Sequence, residues 1–313
     1  MERENKLGIS FTTGAYILWG ILPIYWKFLN EVPALEILAH RVVWSFIFVL
    51  FIVVLLKRKL LKNFFQVQMS QKKTWLGLFL SSVFISMNWL LYIFAVNTNH
   101  IVEASLGYYI NPLVAVMLGV FVLREKITKW QIVSFVLAAI GVIYMTLSLG
   151  KLPWISLVLA ISFGFYGLSK KLLKVDSILG LLLETLFVLP FAIMFLAYLG
   201  VNGQHSFLIG SLKTDLFILG SGIATALPLL WFGIGVQKIP LYMVGFLQYI
   251  APTISLLLGV LMFGEPFTKD HVVTFTCIWL AIAVFTISNI RQGIINRKAA
   301  IIATNVRSEK KVI

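Results

Sequence analysis

Cysteine, histidine and acidic residues are scarce in this sequence. It has one cysteine, Cys277, and four histidines, so neither a disulfide framework nor a cysteine metal site can be built within one chain. It also lacks the HExxH motif of metalloproteases and the GxxxxGK[ST] loop that binds nucleotide phosphates. These absences argue against an enzyme, and we expect no cofactor and no metal ion.

Charged residues are also few. They make up 12% of the chain, about half the share found in ordinary soluble domains. Apolar runs of about 20 residues recur, and each is long enough to cross a hydrocarbon core roughly 30 Å thick. The predicted spans are 8–29, 35–56, 74–96, 101–123, 129–148, 153–170, 178–200, 213–236, 241–263 and 270–290. Their unbroken hydrophobicity lacks the alternation of a membrane barrel, so the sequence predicts an all-α integral membrane protein with about ten transmembrane helices.

The basic residues lie between the apolar runs and not along one soluble face. The net charge of +14 therefore does not indicate nucleic-acid binding. Alternate connections carry 21 Lys and Arg residues on one side and 3 on the other. By the positive-inside rule, both termini are expected in the cytoplasm of a bacterium, with the chain in its inner membrane. The basic segment 291–313 is predicted to be a cytoplasmic tail that contacts anionic lipid headgroups.

The two halves of the sequence resemble each other. At an offset of 140 residues, Tyr109, Ile110, Pro112, Leu118, Gly119, Val120, Glu125, Thr128 and Lys129 match Tyr249, Ile250, Pro252, Leu258, Gly259, Val260, Glu265, Thr268 and Lys269; at 144, Gly20 and Lys27 match Gly164 and Lys171. Identities at a constant offset indicate duplication, so we predict five-helix repeats in residues 1–150 and 151–290. Because five is odd, the second repeat would be inverted, as in transporters that rock around a midplane site.

The duplicated segments that end near Glu125 and Glu265 resemble the signature of EamA-type transporters in the drug/metabolite transporter superfamily. Other stretches resemble the RarD subfamily, namely Tyr25-Trp26-Lys27, His40-Arg41 to Trp44-Ser45, Met87-Asn88-Trp89 to Tyr92, Ser105 to Pro112, Glu184-Thr185 and Gln248-Tyr249. The resemblance implies permease activity. It implies no particular cargo, because the subfamily is described through chloramphenicol sensitivity while related transporters export amino acids, metabolites or drugs.

Several ionisable side chains fall inside predicted spans. Such groups cost roughly 2.5 to 3.5 kcal/mol at the bilayer centre on insertion scales, so they are expected to be paired, hydrated or functional. Lys27, Glu36, His40, Arg41 and Glu103 fall in the outer third. Arg41 can reach a carboxylate such as Glu103, and we expect His40, Arg41 and Glu103 to form a charged outer gate. The alternative for Lys27 and Glu36 is that they only reach the interface.

Glu184 lies on the seventh predicted span, roughly 12 Å from its cytoplasmic end at 1.5 Å per residue. At the 144-residue offset it falls opposite His40. Both side chains are therefore candidates for coupling proton movement to transport. The alternative for Glu184 is a structural hydrogen bond or an ion pair with Lys170 or Lys171.

Polar and aromatic residues at middle depth predict a substrate cavity. The candidates are Trp19, Asn88, Trp89, Tyr92, Tyr108, Tyr109, Asn111, Thr225, Trp231, Gln248 and Tyr249. Aromatic rings with a few amide and hydroxyl groups suit a flat or amphipathic small molecule. The alternative for each residue is packing, since buried amides also join membrane helices.

These patterns favour a secondary transporter that moves a small organic metabolite or drug by alternating access. Because no nucleotide-binding motif is present, active transport would need an ion gradient or a partner, and the titratable groups favour protons. The alternative is a membrane sensor or scaffold without transport activity. The expected partners are the lipid bilayer and a small-molecule substrate, with no nucleic acid.

Overall fold

The computed structural model describes residues 2–56, 58–59, 72–97, 101–148, 150, 153–173, 175–264 and 268–309. Within these ranges, ten helical segments are long and apolar enough to cross a membrane, and no residue is in a β-strand. Lipid offers no hydrogen-bond partners to the backbone, whereas a helix pairs its interior N–H and C=O groups within one segment. The all-α membrane architecture predicted from the sequence is confirmed.

The helices follow the predicted spans to within a few residues. They are α1 (Glu2–Lys27), α2 (Ala34–Leu56), α3 (Lys72–Asn97), α4 (Ile101–Met117), α5 (Lys129–Ser148), α6 (Trp154–Leu172), α7 (Ser177–Val201), α8 (Leu212–Lys238), α9 (Leu241–Gln248), α10 (Ile250–Met262) and α11 (Lys269–Glu309). A π-helical turn, Leu118–Val122, follows α4. The ninth span is divided into α9 and α10 just before Pro252, which cannot donate a backbone hydrogen bond. Helix α11 continues into the predicted basic tail.

The chain forms two compact units, and each takes helices from both halves of the sequence. Unit 1 comprises Met1–Glu125 and Lys151–Pro266, and unit 2 comprises Lys126–Gly150 and Phe267–Ile313. Unit 2 is thus an α5–α11 pair, whereas unit 1 holds the other helices. All candidate site residues lie in unit 1.

In unit 2, the two helices run antiparallel. At one end Gln131 Nε2 donates to Asn289 Oδ1 over 3.0 Å, and at the other the Tyr144 hydroxyl donates to Asp270 over 3.0 Å. Midway, a Cβ atom placed on Gly141 would lie 2.9 Å from the backbone oxygen of Thr274. A small residue at this crossing allows close backbone approach, which is how membrane helices commonly associate.

The interior of unit 1 is aromatic where α1, α6 and α8 meet. Tyr16, Trp19, Phe163, Tyr166 and Phe232 form neighbouring ring pairs with centroids 5.4 to 6.2 Å apart. Such spacing suits edge-to-face and offset contacts, each of which contributes about 0.5–1.5 kcal/mol beyond area burial. This cluster supports the helices that carry the candidate site.

Residues that match at the 140-residue offset have matching local structure. Arg124 and Gly264 both adopt left-handed backbone conformations, with φ of 55° and 69°. The preceding amides, Leu123 and Phe263, each donate to the carbonyl five residues earlier, over 3.2 and 3.1 Å. The same irregular helix end therefore occurs once in each half.

The helix starts that follow also match. Thr128 and Gln131 bond reciprocally between backbone N–H and side chain, a capping box at the start of α5. Thr268 and His271 form the corresponding pair at the start of α11. Gln131 and His271 differ chemically but provide an acceptor at the same position.

Contacts between the halves match as well. A Cβ atom placed on Gly164 would lie 2.6 Å from Val114 Cγ1, and one on Gly20 would lie 2.7 Å from Ile254 Cβ. Gly20 and Gly164 correspond at the 144-residue offset, and Val114 and Ile254 at 140. Each half thus offers a glycine to the same helix position of the other half, as two copies related by a two-fold rotation would.

Candidate functional site

Glu184 lies on α7 and is almost fully buried. Its side chain is 1% exposed, and its Oε1 lies 2.8 Å from the Lys170 ammonium nitrogen, which is also buried. Ser81 of α3 donates a 2.7 Å hydrogen bond to the same oxygen, and the Tyr166 hydroxyl donates to Oε2 over 3.4 Å. The ion pair left open as an alternative in the sequence is therefore present, with Lys170 and not Lys171 as the partner.

Two glycines lie beside the Lys170 side chain. A Cβ atom at Gly180 would lie 3.4 Å from its Nζ, and one at Gly233 would lie 4.0 Å from its Cε. The ammonium group also lies over the Tyr166 ring, 5.5 Å from the centroid. Burying both charges is costly, so their stability depends on the pairing and on the bonds to the remaining carboxylate oxygen.

A small cavity adjoins Glu184 on the side of α3. Its volume is about 10 Å³. Trp89, Tyr166, Glu184 and Thr185 border it together with apolar residues, and the surface that faces it is apolar throughout. Trp89 and Glu184 therefore adjoin the same small space, but the carboxylate does not open onto it.

Arg41 lies on α2, and aromatic rings cover its guanidinium group. The group lies 4.7 Å from the Trp26 centroid and 5.6 Å from that of Trp89. Its Nε donates a 2.9 Å hydrogen bond to the Thr225 hydroxyl of α8. The expected partner Glu103 has a side chain outside the described residues, so the predicted Arg41–Glu103 pairing stays a prediction.

Tyr92 and Tyr108 lie within electrostatic range of Arg41. Their rings meet edge to face with centroids 6.1 Å apart. The two residues are 38% and 48% exposed. Arg41, Tyr92 and Tyr108 thus lie close together in unit 1, with accessible aromatic surface beside the guanidinium group.

Glu36 and His40 lie one turn apart on α2, as their spacing predicts. Glu36 is fully buried and accepts hydrogen bonds from the Ser206 amide and hydroxyl over 2.6 and 2.8 Å. It therefore holds the α7–α8 connection. His40 Nε2 lies 3.8 Å from Glu36 Oε1, and its ring packs on Phe207 at 5.0 Å. Among the described residues, neither ring nitrogen of His40 has a hydrogen-bond partner.

The remaining candidates lie apart from Arg41 and the side chains near it, which are Trp89, Tyr92, Tyr108 and Thr225. Asn88 Nδ2 donates to the Leu159 carbonyl and the Ser162 hydroxyl over 2.8 and 3.0 Å, joining α3 to α6. Trp19 belongs to the aromatic cluster, and Trp231 packs on Phe11 with centroids 6.2 Å apart. Tyr109, Asn111, Gln248 and Tyr249 are buried in α4, α9 and the α9–α10 break. The structure thus brings together Arg41, Trp89, Tyr92, Tyr108 and Thr225 from the predicted set.

Sequence reasoning missed Ser81, Tyr166 and Trp26 as contacts of the charged groups. Ser81 had a signal, because it lies 144 residues before Thr225. Tyr166 also had one, since it precedes Lys170 by four residues and so shares its helix face. Trp26 lies in the last turn of α1, within the Tyr25-Trp26-Lys27 stretch that resembles the RarD subfamily, but nothing in the sequence indicated its contact with Arg41.

A second polar cluster lies at the predicted cytoplasmic end of unit 1. Glu125 accepts hydrogen bonds from the amides of Leu241 and Tyr242, over 2.7 and 2.9 Å, at the start of α9. A carboxylate is favoured at a helix N-terminus, where unpaired N–H groups point outward. Lys171 donates to the Ile239 carbonyl in the preceding turn. Both side chains therefore hold the α8–α9 turn.

Known proteins similar to this chain are membrane transporters. Residues 6–147 match the EamA-like transporter family. The uncharacterized transporter YojE of Bacillus subtilis is 46% identical over 290 residues, which cover 92% of this chain and 96% of YojE. Protein RarD of Escherichia coli K12 is 39% identical over 92% of this chain and 96% of its own. The chloramphenicol-sensitive protein RarD of Pseudomonas aeruginosa is 29% identical, covering 90% and 93%.

A solved crystal structure shares the fold. It superposes with a TM-score of 0.67 at 17% identity, over 90% of this chain and 97% of its own. At this identity the likeness concerns the arrangement of helices alone.

Proposed function

Because the chain belongs to the EamA-like transporter family and is of the RarD type, we propose that it is a secondary transporter with alternating access, driven by protons. It is a multi-pass bacterial membrane transporter, with ten helices able to span the bilayer. The proposed cargo is a small organic metabolite or drug. The buried Lys170–Glu184 pair is the observation that carries the proton-driven part of the proposal.

Alternating access is supported by the matched contacts of the two halves. Two copies inserted with opposite polarity can exchange conformations, so that one state opens outward and the other inward. The equivalent contacts of Gly20 with Ile254 and of Gly164 with Val114 support this two-fold relation. The antiparallel course of the equivalent helices α5 and α11 also fits inverted copies.

Proton coupling follows from the charge balance around Glu184. While Glu184 is ionised, its charge and that of Lys170 cancel. A proton from water that binds Glu184 leaves a buried ammonium group without its carboxylate, which costs several kcal/mol by order of magnitude. We infer that the Lys170 side chain then moves toward water, where its charge is solvated, and that this movement couples protonation to conformation.

A polar cavity lies at the predicted cytoplasmic end of this region. Its volume is about 640 Å³, and its lining includes Asp176, Ser177 and Gln237. A Cβ atom placed on Gly233 would lie 3.3 Å from Ser177 and 4.0 Å from Lys170 Cε. Ser177 thus lies both on this cavity and beside the glycine that adjoins Lys170, which supports a route for water to the ammonium group.

Reconstitution in liposomes tests the proposal. Uptake of labelled amino acids, small organic acids and chloramphenicol is measured with and without a pH gradient. We expect gradient-driven transport of at least one compound, and Glu184→Gln should abolish the gradient dependence because the amide cannot carry the proton. Asp270→Asn is the matched control, since Asp270 only accepts hydrogen bonds from Tyr144 and Ser148 in unit 2. A folded Glu184→Gln protein with normal gradient dependence would eliminate the proton role, and absence of all transport would favour a sensor.

A further inference from the structure

Arg41 combines a permanent charge with a largely apolar setting. It lies seven residues after the start of α2, about 10 Å along the axis. Among the described side chains, no carboxylate oxygen lies within 4.0 Å of its guanidinium. An arginine keeps its charge in proteins and has five N–H donors. Of these, the described contacts use only Nε, which bonds Thr225.

The two unused nitrogens form a planar fork. This fork matches the two oxygens of a carboxylate, and such bidentate pairs are shorter and stronger than neutral hydrogen bonds. Thr225 is 2% exposed and its hydroxyl accepts from Nε, so the fork has a defined direction. The guanidinium is half-buried, and two ring faces and one hydroxyl compensate its charge only in part, so the site favours an anionic partner.

Aromatic surfaces define the rest of this space. Trp26 and Trp89 cover the guanidinium, and Tyr92 and Tyr108 beside it are 38% and 48% exposed. Rings of this kind bind planar apolar groups through area burial and offset stacking. A carboxylate in the fork would place its attached body against these rings.

We propose that Arg41 binds the carboxylate of the transported solute, and that the solute is an aromatic or other planar monocarboxylate. The proposal rests on the transport function above and specifies its substrate class. It concerns the Arg41 cage, formed by Arg41, Trp26, Trp89, Tyr92, Tyr108 and Thr225. Trp89 also borders the small apolar cavity beside Glu184.

The test measures binding of matched compounds to the purified protein in detergent by calorimetry. The probes are benzoate, cinnamate and indole-3-acetate, each paired with its primary amide. At least one acid should bind, and its amide should bind about ten- to a hundredfold more weakly, because the amide lacks the charge-assisted bonds. Arg41→Gln should lower acid affinity to that of the amide, while Arg41→Lys should retain part of it.

Lys27→Gln is the matched control. Lys27 is an exposed cation 4.0 Å from the Phe263 centroid, and its loss should leave acid affinity unchanged. Circular dichroism and gel filtration establish that each variant is folded. Equal binding of an acid and its amide, undiminished acid binding by folded Arg41→Gln, or no acid binding at millimolar concentration would each overturn the proposal.

Transport is measured separately in liposomes, so that the two proposals fail in different ways. Acid binding with no transport would overturn the proposed function and leave the carboxylate site standing. Transport of the amides at the same rate as the acids would overturn the carboxylate site and leave the transport function standing.

Discussion

Ser81 and Thr225 are separated by 144 residues, and each hydrogen-bonds a charged side chain of the neighbouring helix. Ser81 donates to Glu184, and Thr225 accepts from Arg41. Glu184 and Arg41 each lie seven residues after the first residue of their helices, α7 and α2. The serine or threonine at this position thus holds the anion Glu184 in the second half and the cation Arg41 in the first half. Each charged residue lies at the same distance from the start of its helix, and the two helices start at opposite predicted sides of the membrane.

Removing Lys170 tests the energetic coupling of the buried pair. We expect Lys170→Met to lower the free energy of unfolding by about 3–5 kcal/mol, because Glu184 is left buried without its cation. The double variant Lys170→Met/Glu184→Met should recover most of this loss, since neither charge is then buried. Thermal unfolding in detergent measures both.

Lys171→Met is the control for that experiment. Its ammonium donates to the Ile239 carbonyl, so its loss should cost less, about 1.5–3 kcal/mol. A double variant no more stable than Lys170→Met alone would contradict the coupling of the two charges.

Most of the fold could be predicted from the sequence because membrane insertion constrains it strongly. Apolar length and the position of Lys and Arg indicated ten spans, and ten are observed in the described residues. The sequence did not predict that only one of two equivalent helices would be interrupted. Pro112 lies within a continuous α4, whereas the ninth span is interrupted before Pro252. Proline removes the same backbone bond in both helices, and the surrounding packing decides whether the helix divides.

The site was less predictable, because residue type indicates depth and chemistry but not direction. Trp89, Tyr92 and Tyr108 face Arg41, whereas Asn88, next to Trp89, points to α6. Neighbours on a helix differ by about 100° in direction, so a short polar stretch serves two different surfaces. Partners from distant helices cannot be read from one sequence.

Substitution of Gly222 tests how closely α8 must approach α2 near Arg41. A Cβ atom there would lie 2.3 to 2.6 Å from atoms of Trp44, two of them in the backbone. Gly222→Ala should therefore destabilise the protein by about 1–3 kcal/mol, as overpacking commonly does. Gly200→Ala is the matched control, because nothing lies within 4 Å of the added atom and alanine favours the helix by about 0.5–1 kcal/mol. Equal thermal unfolding midpoints for the two variants would contradict the close packing.

Glu36 tests the attachment of the α7–α8 connection. It accepts hydrogen bonds from the Ser206 amide and hydroxyl and from the Phe207 amide at 3.4 Å. We expect Glu36→Ala to speed amide hydrogen exchange at residues 206 and 207 about tenfold or more, since a charged acceptor contributes roughly 1.5–3 kcal/mol. Mass spectrometry measures the exchange. Glu31→Ala removes an exposed carboxylate nearby and should leave it unchanged.

Cysteine labelling tests the inverted insertion of the two halves. Lys129 and Lys269 correspond at the 140-residue offset, are exposed, and begin α5 and α11. In a Cys277→Ala background, a membrane-impermeant maleimide added to intact cells should label Lys269→Cys, whereas Lys129→Cys should react only after the cells are opened. The reason is that an odd number of spans separates equivalent positions, which places them on opposite sides of the bilayer. Labelling of both cysteines from the same side would contradict an inverted repeat, and the unsubstituted background protein provides the zero-labelling control.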